Sequence, residues 1–123
     1  MIMNKLYKNR YVMDKKTGLV FRCITSKACA DGRRWVESSR INDMYGNLIG
    51  GKKYAKRCQI KESQLIPINK TEGIIAWEAE RIMRGKSCRN AVDKTILALH
   101  KIMLESRGFS RGKVEAIFAG ASH

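Results

Sequence analysis

The 123-residue sequence predicts an α+β fold in which a small antiparallel β half is followed by two or three α-helices. Two observations carry this reading. Apolar residues recur with a period of two up to the only proline, Pro67, and with a period near 3.6 after it. Glycine-containing turn signals also punctuate the first half at short intervals, as hairpins require. The charge divides at the same place: residues 1–68 carry 15 basic and 5 acidic side chains, residues 69–123 carry 10 and 6. The expected units are therefore 1–68, β-rich and strongly basic, and 69–123, a helical region packed on the first or mediating dimerisation.

Arg10-Tyr11-Val12-Met13-Asp14 and Leu19-Val20-Phe21-Arg22-Cys23-Ile24-Thr25 are rich in β-branched and aromatic residues. Lys15-Lys16-Thr17-Gly18 between them ends in the glycine that a hairpin turn favours. A third strand, Arg34 to Arg40, follows the Asp31-Gly32 turn signal. A fourth, Lys56 to Lys61, alternates Cys58 and Ile60 with polar neighbours. Between them, residues 42–53 hold Gly46, Gly50 and Gly51 and read as a flexible loop. Leu65-Ile66-Pro67-Ile68 closes the half as an edge strand, where proline is tolerated.

In the second half, Ile75, Ala79, Ile82 and Met83 share one face of a helix near 70–84. Asn69 and Glu72 are spaced for its N-terminal cap, and Gly85 stands at its end. A second helix starts at Asn90, with Asp93 in its first turn and Val92, Ile96, Leu99 and Met103 along one stripe. Gly108 suits the left-handed position after its last turn, with Phe109 folding back on Leu104 as in a Schellman motif. Ser110 then caps a short third helix holding Val114, Ile117 and Phe118 before Gly120.

Composition narrows the partners. With 25 Lys and Arg against 11 Asp and Glu, the formal net charge is +14. Such a field attracts polyanions, and neutralising phosphates releases condensed counterions. No stretch approaches the roughly 20 apolar residues that span a bilayer, and residues 1–9 lack the apolar run of a signal peptide, so a cytoplasmic location without membrane contact is expected. Cys23, Cys29, Cys58 and Cys88 form no C-x-x-C pair and read as reduced, half-buried thiols.

Taken in order, Tyr11-Val12-Met13-Asp14, the turn to Thr17-Gly18-Leu19-Val20-Phe21-Arg22-Cys23-Ile24, a Trp35-containing third strand, a fourth strand and the closing Glu62-Ser63-Gln64-Leu65-Ile66-Pro67 resemble an SH3-like small barrel of the KOW and Tudor type. The resemblance covers about half the chain. It implies an antiparallel β-barrel and partners among nucleic acid, ribosomes, RNA polymerase or modified peptides. Tyr7, Tyr11, Phe21, Trp35, Tyr45 and Tyr54 supply enough rings for the aromatic cage of methyl-reading Tudor domains. A barrel this small needs most of them as core, and the surrounding cations would repel a methylated ammonium ligand.

The basic clusters Lys15-Lys16, Arg33-Arg34, Lys52-Lys53 and Lys56-Arg57 fall in or beside turns and strand ends, where long cationic side chains can meet a phosphate backbone. Loop cations give affinity with little discrimination between sequences. Trp35 and Tyr54, where exposed, would stack on unpaired bases, which keeps RNA open behind DNA. Leu104 to Ile117 also resembles a helix-turn-helix, placing Ser110, Arg111 and Lys113 at the start of a reading helix.

Enzymatic chemistry is not expected. His100 and His123 form no triad or metal site, and there is no phosphate loop, H-E-x-x-H or acidic metal cluster. No cofactor or metal is expected either. The reading is a non-specific or weakly specific DNA-binding accessory or regulatory protein, of a kind suited to a bacterial or phage nucleoid or to transcription control. The alternative is a module that docks an acidic surface of RNA polymerase, the ribosome or a DNA-organising protein through the C-terminal helices.

Overall fold

In the computed structural model, which describes residues 10–25, 27–40, 42–43, 47–51, 56–85 and 90–121, five short strands precede three helices. The strands are β1 (Tyr11–Asp14), β2 (Val20–Cys23), β3 (Arg33–Ser38), β4 (Arg57–Lys61) and β5 (Leu65–Pro67). The helices are α1 (Lys70–Arg84), α2 (Ala91–Ser106) and α3 (Arg111–Ala121). The α+β class is as the sequence predicts. All strand pairs are antiparallel in the order β4-β3-β2-β1-β5, an open sheet with β4 and β5 at its edges. Gly18 closes the β1–β2 turn with φ +77°, a conformation that costs glycine nothing, and donates its N–H to the Asp14 carbonyl at 2.8 Å. Pro67 sits on edge strand β5, opposite Val12.

Strand alternation and register sort the side chains onto two faces. Val12, Phe21, Cys23, Val36 and Leu65 share an inner face and are closed off from water. A 3₁₀ turn, Glu62–Gln64, joins β4 to β5 and brings Glu62 to Arg34 on this side. Met13 and Val20 point the other way and join one continuous core with Ala76 of α1, Met103 and Leu104 of α2, and Val114 and Ile117 of α3. The β1–β2 hairpin is thus buried on both faces, and each aliphatic side chain so enclosed contributes about 1.5–3 kcal/mol. Ile49 enters the same core from the segment read as a flexible loop, where Asn42 and Leu48 form a β-bridge. Of the described residues there only Ile49 is buried, while Asn47, Leu48 and Gly51 are exposed.

Local signals set the helix ends. Asn69 and Asn90 accept hydrogen bonds from the N–H groups of Glu72 and Asp93 at 2.8 and 2.9 Å, caps worth about 1 kcal/mol each. Gly108 takes φ +91°; its N–H donates to Glu105 O at 3.0 Å, and that of Phe109 to Leu104 O at 3.2 Å, the two bonds of a Schellman motif. Ser110 accepts from Lys113 N–H at 3.2 Å at the start of α3, which runs through Gly120 rather than stopping before it.

The stripe expected on α2 is only partly the buried one. Val92 and Leu99 are 66% and 43% exposed, while the helix buries His100, Met103 and Leu104. Apolar residues on α2 form two stripes, and packing against α1 and α3 selects the one that includes Leu104.

Candidate nucleic-acid interface

Helix α1 lies over β1 and β2 on the face opposite the inner one. Trp77 donates its indole N–H to Val20 O at 3.2 Å and meets Tyr11 edge-on, with ring centroids 5.6 Å apart. Gly73 lets the helix approach Tyr11 without a Cβ between them. On the same face, β3 and β4 present Arg33, Trp35, Glu37, Arg57, Gln59 and Lys61 in cross-strand rows: Arg33 opposite Lys61, Trp35 opposite Gln59, Glu37 opposite Arg57. Arg33, Arg57, Gln59 and Lys61 are exposed and Trp35 is half-buried.

Charge is unevenly spent across these rows. Glu37 accepts from Arg22 at 2.8 Å and lies 3.5 Å from Arg57, and Arg22 also stands 5.4 Å from the Trp77 ring centre. At the other end Arg33 and Lys61 oppose each other directly, with Asp31 3.6 Å from Arg33. Like charges facing across a ladder are unfavourable by a few tenths of a kcal/mol or more, and an anion bridging them reverses the sign. From Arg57 to Lys61 the ribbon spans about 13 Å, close to the roughly 12 Å width of a DNA major groove.

The sequence-derived cations separate into different places. Arg34 is withdrawn from solvent: it donates to Glu62 Oε1 through Nε at 2.8 Å and Nη2 at 2.5 Å, and to Thr25 O at 3.0 Å, with its side chain 4% exposed. Its phosphate-binding role is corrected to that of a buried partner for Glu62. Lys56 is half-buried at the Arg57 end of the ribbon. Lys15 and Lys16 are exposed on the β1–β2 turn, at the opposite end of the strands from Arg33, and Lys15 lines a groove of about 480 Å³ with Arg107 and Phe109. Arg111 is exposed at the start of α3, 3.6 Å from Glu115, and Lys113 is half-buried. Lys52, Lys53 and Tyr54 lie outside the described residues, as do Tyr7 and Tyr45 of the aromatic set. Reasoning from clusters missed Arg22, Gln59 and Lys61. The period-two polar pattern Arg57, Gln59, Lys61 was the signal that places two of them beside Arg33.

Other ionisable groups are built into the interior. Burial pushes the thiols of Cys23 and Cys58 up to about 11, so neither is a thiolate near neutral pH. Ser39 donates to Glu80, whose other carboxylate oxygen lies 3.5 Å from Arg40 Nη1, and Arg84 donates to Ser39 O at 2.7 Å. Burial pushes Glu80 up to about 7 against the pull of Arg40, and burial, reinforced by Arg40, holds His100 down at about 4. His100 stacks on Phe118 with centroids 5.4 Å apart. Among the described residues no group of three or more His, Cys, Asp or Glu is placed to hold a metal ion, and no helix is long and apolar enough to cross a membrane.

No protein-family model matches the chain, and neither a curated protein nor a solved structure matches it.

Proposed function

We propose that this protein binds DNA with little sequence preference, through phosphate contacts made by the β3–β4 ribbon, as an accessory or regulatory protein of a bacterial or phage nucleoid or transcription apparatus. The observation that carries the reading is the direct cross-strand opposition of Arg33 and Lys61 on an exposed face of a chain with net charge +14. Arg57 and Lys56 extend the basic edge. Trp35 and Gln59 lie between the cationic rows, where they meet the backbone or groove wall more readily than they could encode a sequence. The strand order β4-β3-β2-β1-β5, with a 3₁₀ turn between the last two strands, supports the likeness to an SH3-like small barrel for residues 1–68.

Fluorescence anisotropy with duplex DNA, single-stranded DNA and duplex RNA across a salt series tests the proposal. Duplex DNA affinity should fall steeply with log salt and change little with sequence. Arg33→Glu with Lys61→Glu should weaken binding on every duplex to a similar extent and flatten the salt slope. Tight binding unaffected by that pair would move the interface elsewhere, and preference for RNA or a single strand would change the ligand class.

A further inference from the structure

We propose that two copies of this chain pair through α2, with the two helices antiparallel about a twofold axis beside Leu99. The stripe left exposed on α2 consists of Val92, Leu99 and Ile102, at 66%, 43% and 59% exposure, with Thr95 and Ser106 in line. Positions 92, 95, 99, 102 and 106 alternate in steps of three and four, the spacing of a coiled-coil seam. Ala91 and Ala98 flank it as exposed small side chains that let a second backbone approach.

Charge identifies the occupant as a second copy. Most of this protein's surface repels its own kind, because the chain carries +14. Helix α2 instead balances Lys94 and Lys101 with Asp93 and Glu105, and Lys101 is turned toward the Phe118 ring, 5.5 Å from its centre. A twofold axis beside Leu99 sets Leu99 on Leu99 of the second copy, Thr95 near Ile102, and Val92 near Ser106. It also sets Lys94 beside Glu105 of the second copy, and the symmetry repeats that pair on the other side. An isologous contact must be complementary to itself, and this arrangement of charges is. Helix α2 has 16 residues and is about 24 Å long, so the contact is a single helix pair and the dimer should exchange with single chains as concentration changes. The pairing does not depend on the nucleic-acid reading, and it would place two basic ribbons in one particle.

Sedimentation velocity on the full chain without nucleic acid, across a concentration series in moderate salt, tests it. The wild type should pass from one chain to two as concentration rises. Leu99→Glu should remain a monomer with an unchanged circular dichroism spectrum, since that side chain faces solvent in the single chain. Lys94→Glu and Glu105→Lys should each weaken the dimer by roughly tenfold, because each sets like charges together at both symmetric positions. The double variant, with the charges exchanged, should recover most of the loss. A chain that stays monomeric throughout, a dimer indifferent to Leu99→Glu, or a double variant no better than the singles would overturn the proposal.

Discussion

Arg33 and Arg34 are adjacent in the chain, yet β3 sends their side chains to opposite faces, Arg33 to solvent opposite Lys61 and Arg34 to the buried carboxylate of Glu62. One step along a strand reverses the side of the sheet, and here it separates a solvent-facing charge from a buried, structural one.

Substitution should separate the two roles. Arg34→Met leaves the Glu62 carboxylate buried without its partner and should cost about 3–5 kcal/mol in urea unfolding. Replacing both residues, Arg34→Met with Glu62→Leu, should recover much of that loss, because no uncompensated charge remains. Arg33→Glu should change stability by no more than about 0.5 kcal/mol while weakening duplex DNA binding at low salt. Equal loss of DNA affinity in folded Arg34→Met and Arg33→Glu would contradict the division.

Glu37 holds Arg22 and Arg57 in the same cross-strand row, and in the proposed DNA complex it would compete with phosphates for both. Glu37→Gln should tighten duplex binding severalfold and steepen the dependence on log salt by up to about two phosphate equivalents. Anisotropy titrations at several salt concentrations measure both quantities. Weaker binding in this variant would mean that the row needs Glu37 for its shape more than it suffers from its charge.

Glu80 and His100 should give stability opposite pH slopes. The Glu80 pKa is raised from 4.5 to about 7 on folding, so its contribution is complete below pH 4.5 and is lost as pH rises through about 7. The His100 pKa is lowered from 6.5 to about 4, so its contribution is complete above pH 6.5 and is lost as pH falls through about 4. Each is worth on the order of 3 kcal/mol, and the two oppose each other between about pH 4.5 and 6.5. Relative to wild type, Glu80→Gln should therefore make stability rise more steeply with pH over that window, and His100→Gln should make it fall. Urea unfolding at a series of pH values reads the slopes directly; profiles parallel to wild type would assign the pH dependence to other groups.

Gly73 fills a close approach between α1 and β1, where a Cβ would sit within the Tyr11 side chain. Alanine would gain about 1 kcal/mol in helix propensity, but overpacking against a ring wedged between the helix and the sheet costs more. Gly73→Ala should lose about 2 kcal/mol net by thermal or urea unfolding, whereas Gly112→Ala, with open space around it, should be neutral or stabilising.

The sequence by itself determined the elements whose signals are local. The strand-to-helix change at Pro67, the caps at Asn69 and Asn90 and the Gly108-Phe109 terminus needed only a few neighbouring residues to be legible, because each is a hydrogen-bonding or steric preference satisfied within one or two turns. Tertiary structure decided which of two apolar stripes on α2 is buried, why Arg34 is enclosed while Arg33 is not, and how Arg57, Gln59 and Lys61 come to stand beside Arg33. Those outcomes depend on register and on which surface a neighbouring element covers. Periodicity shows that a face exists, but only long-range packing selects the face that leaves water.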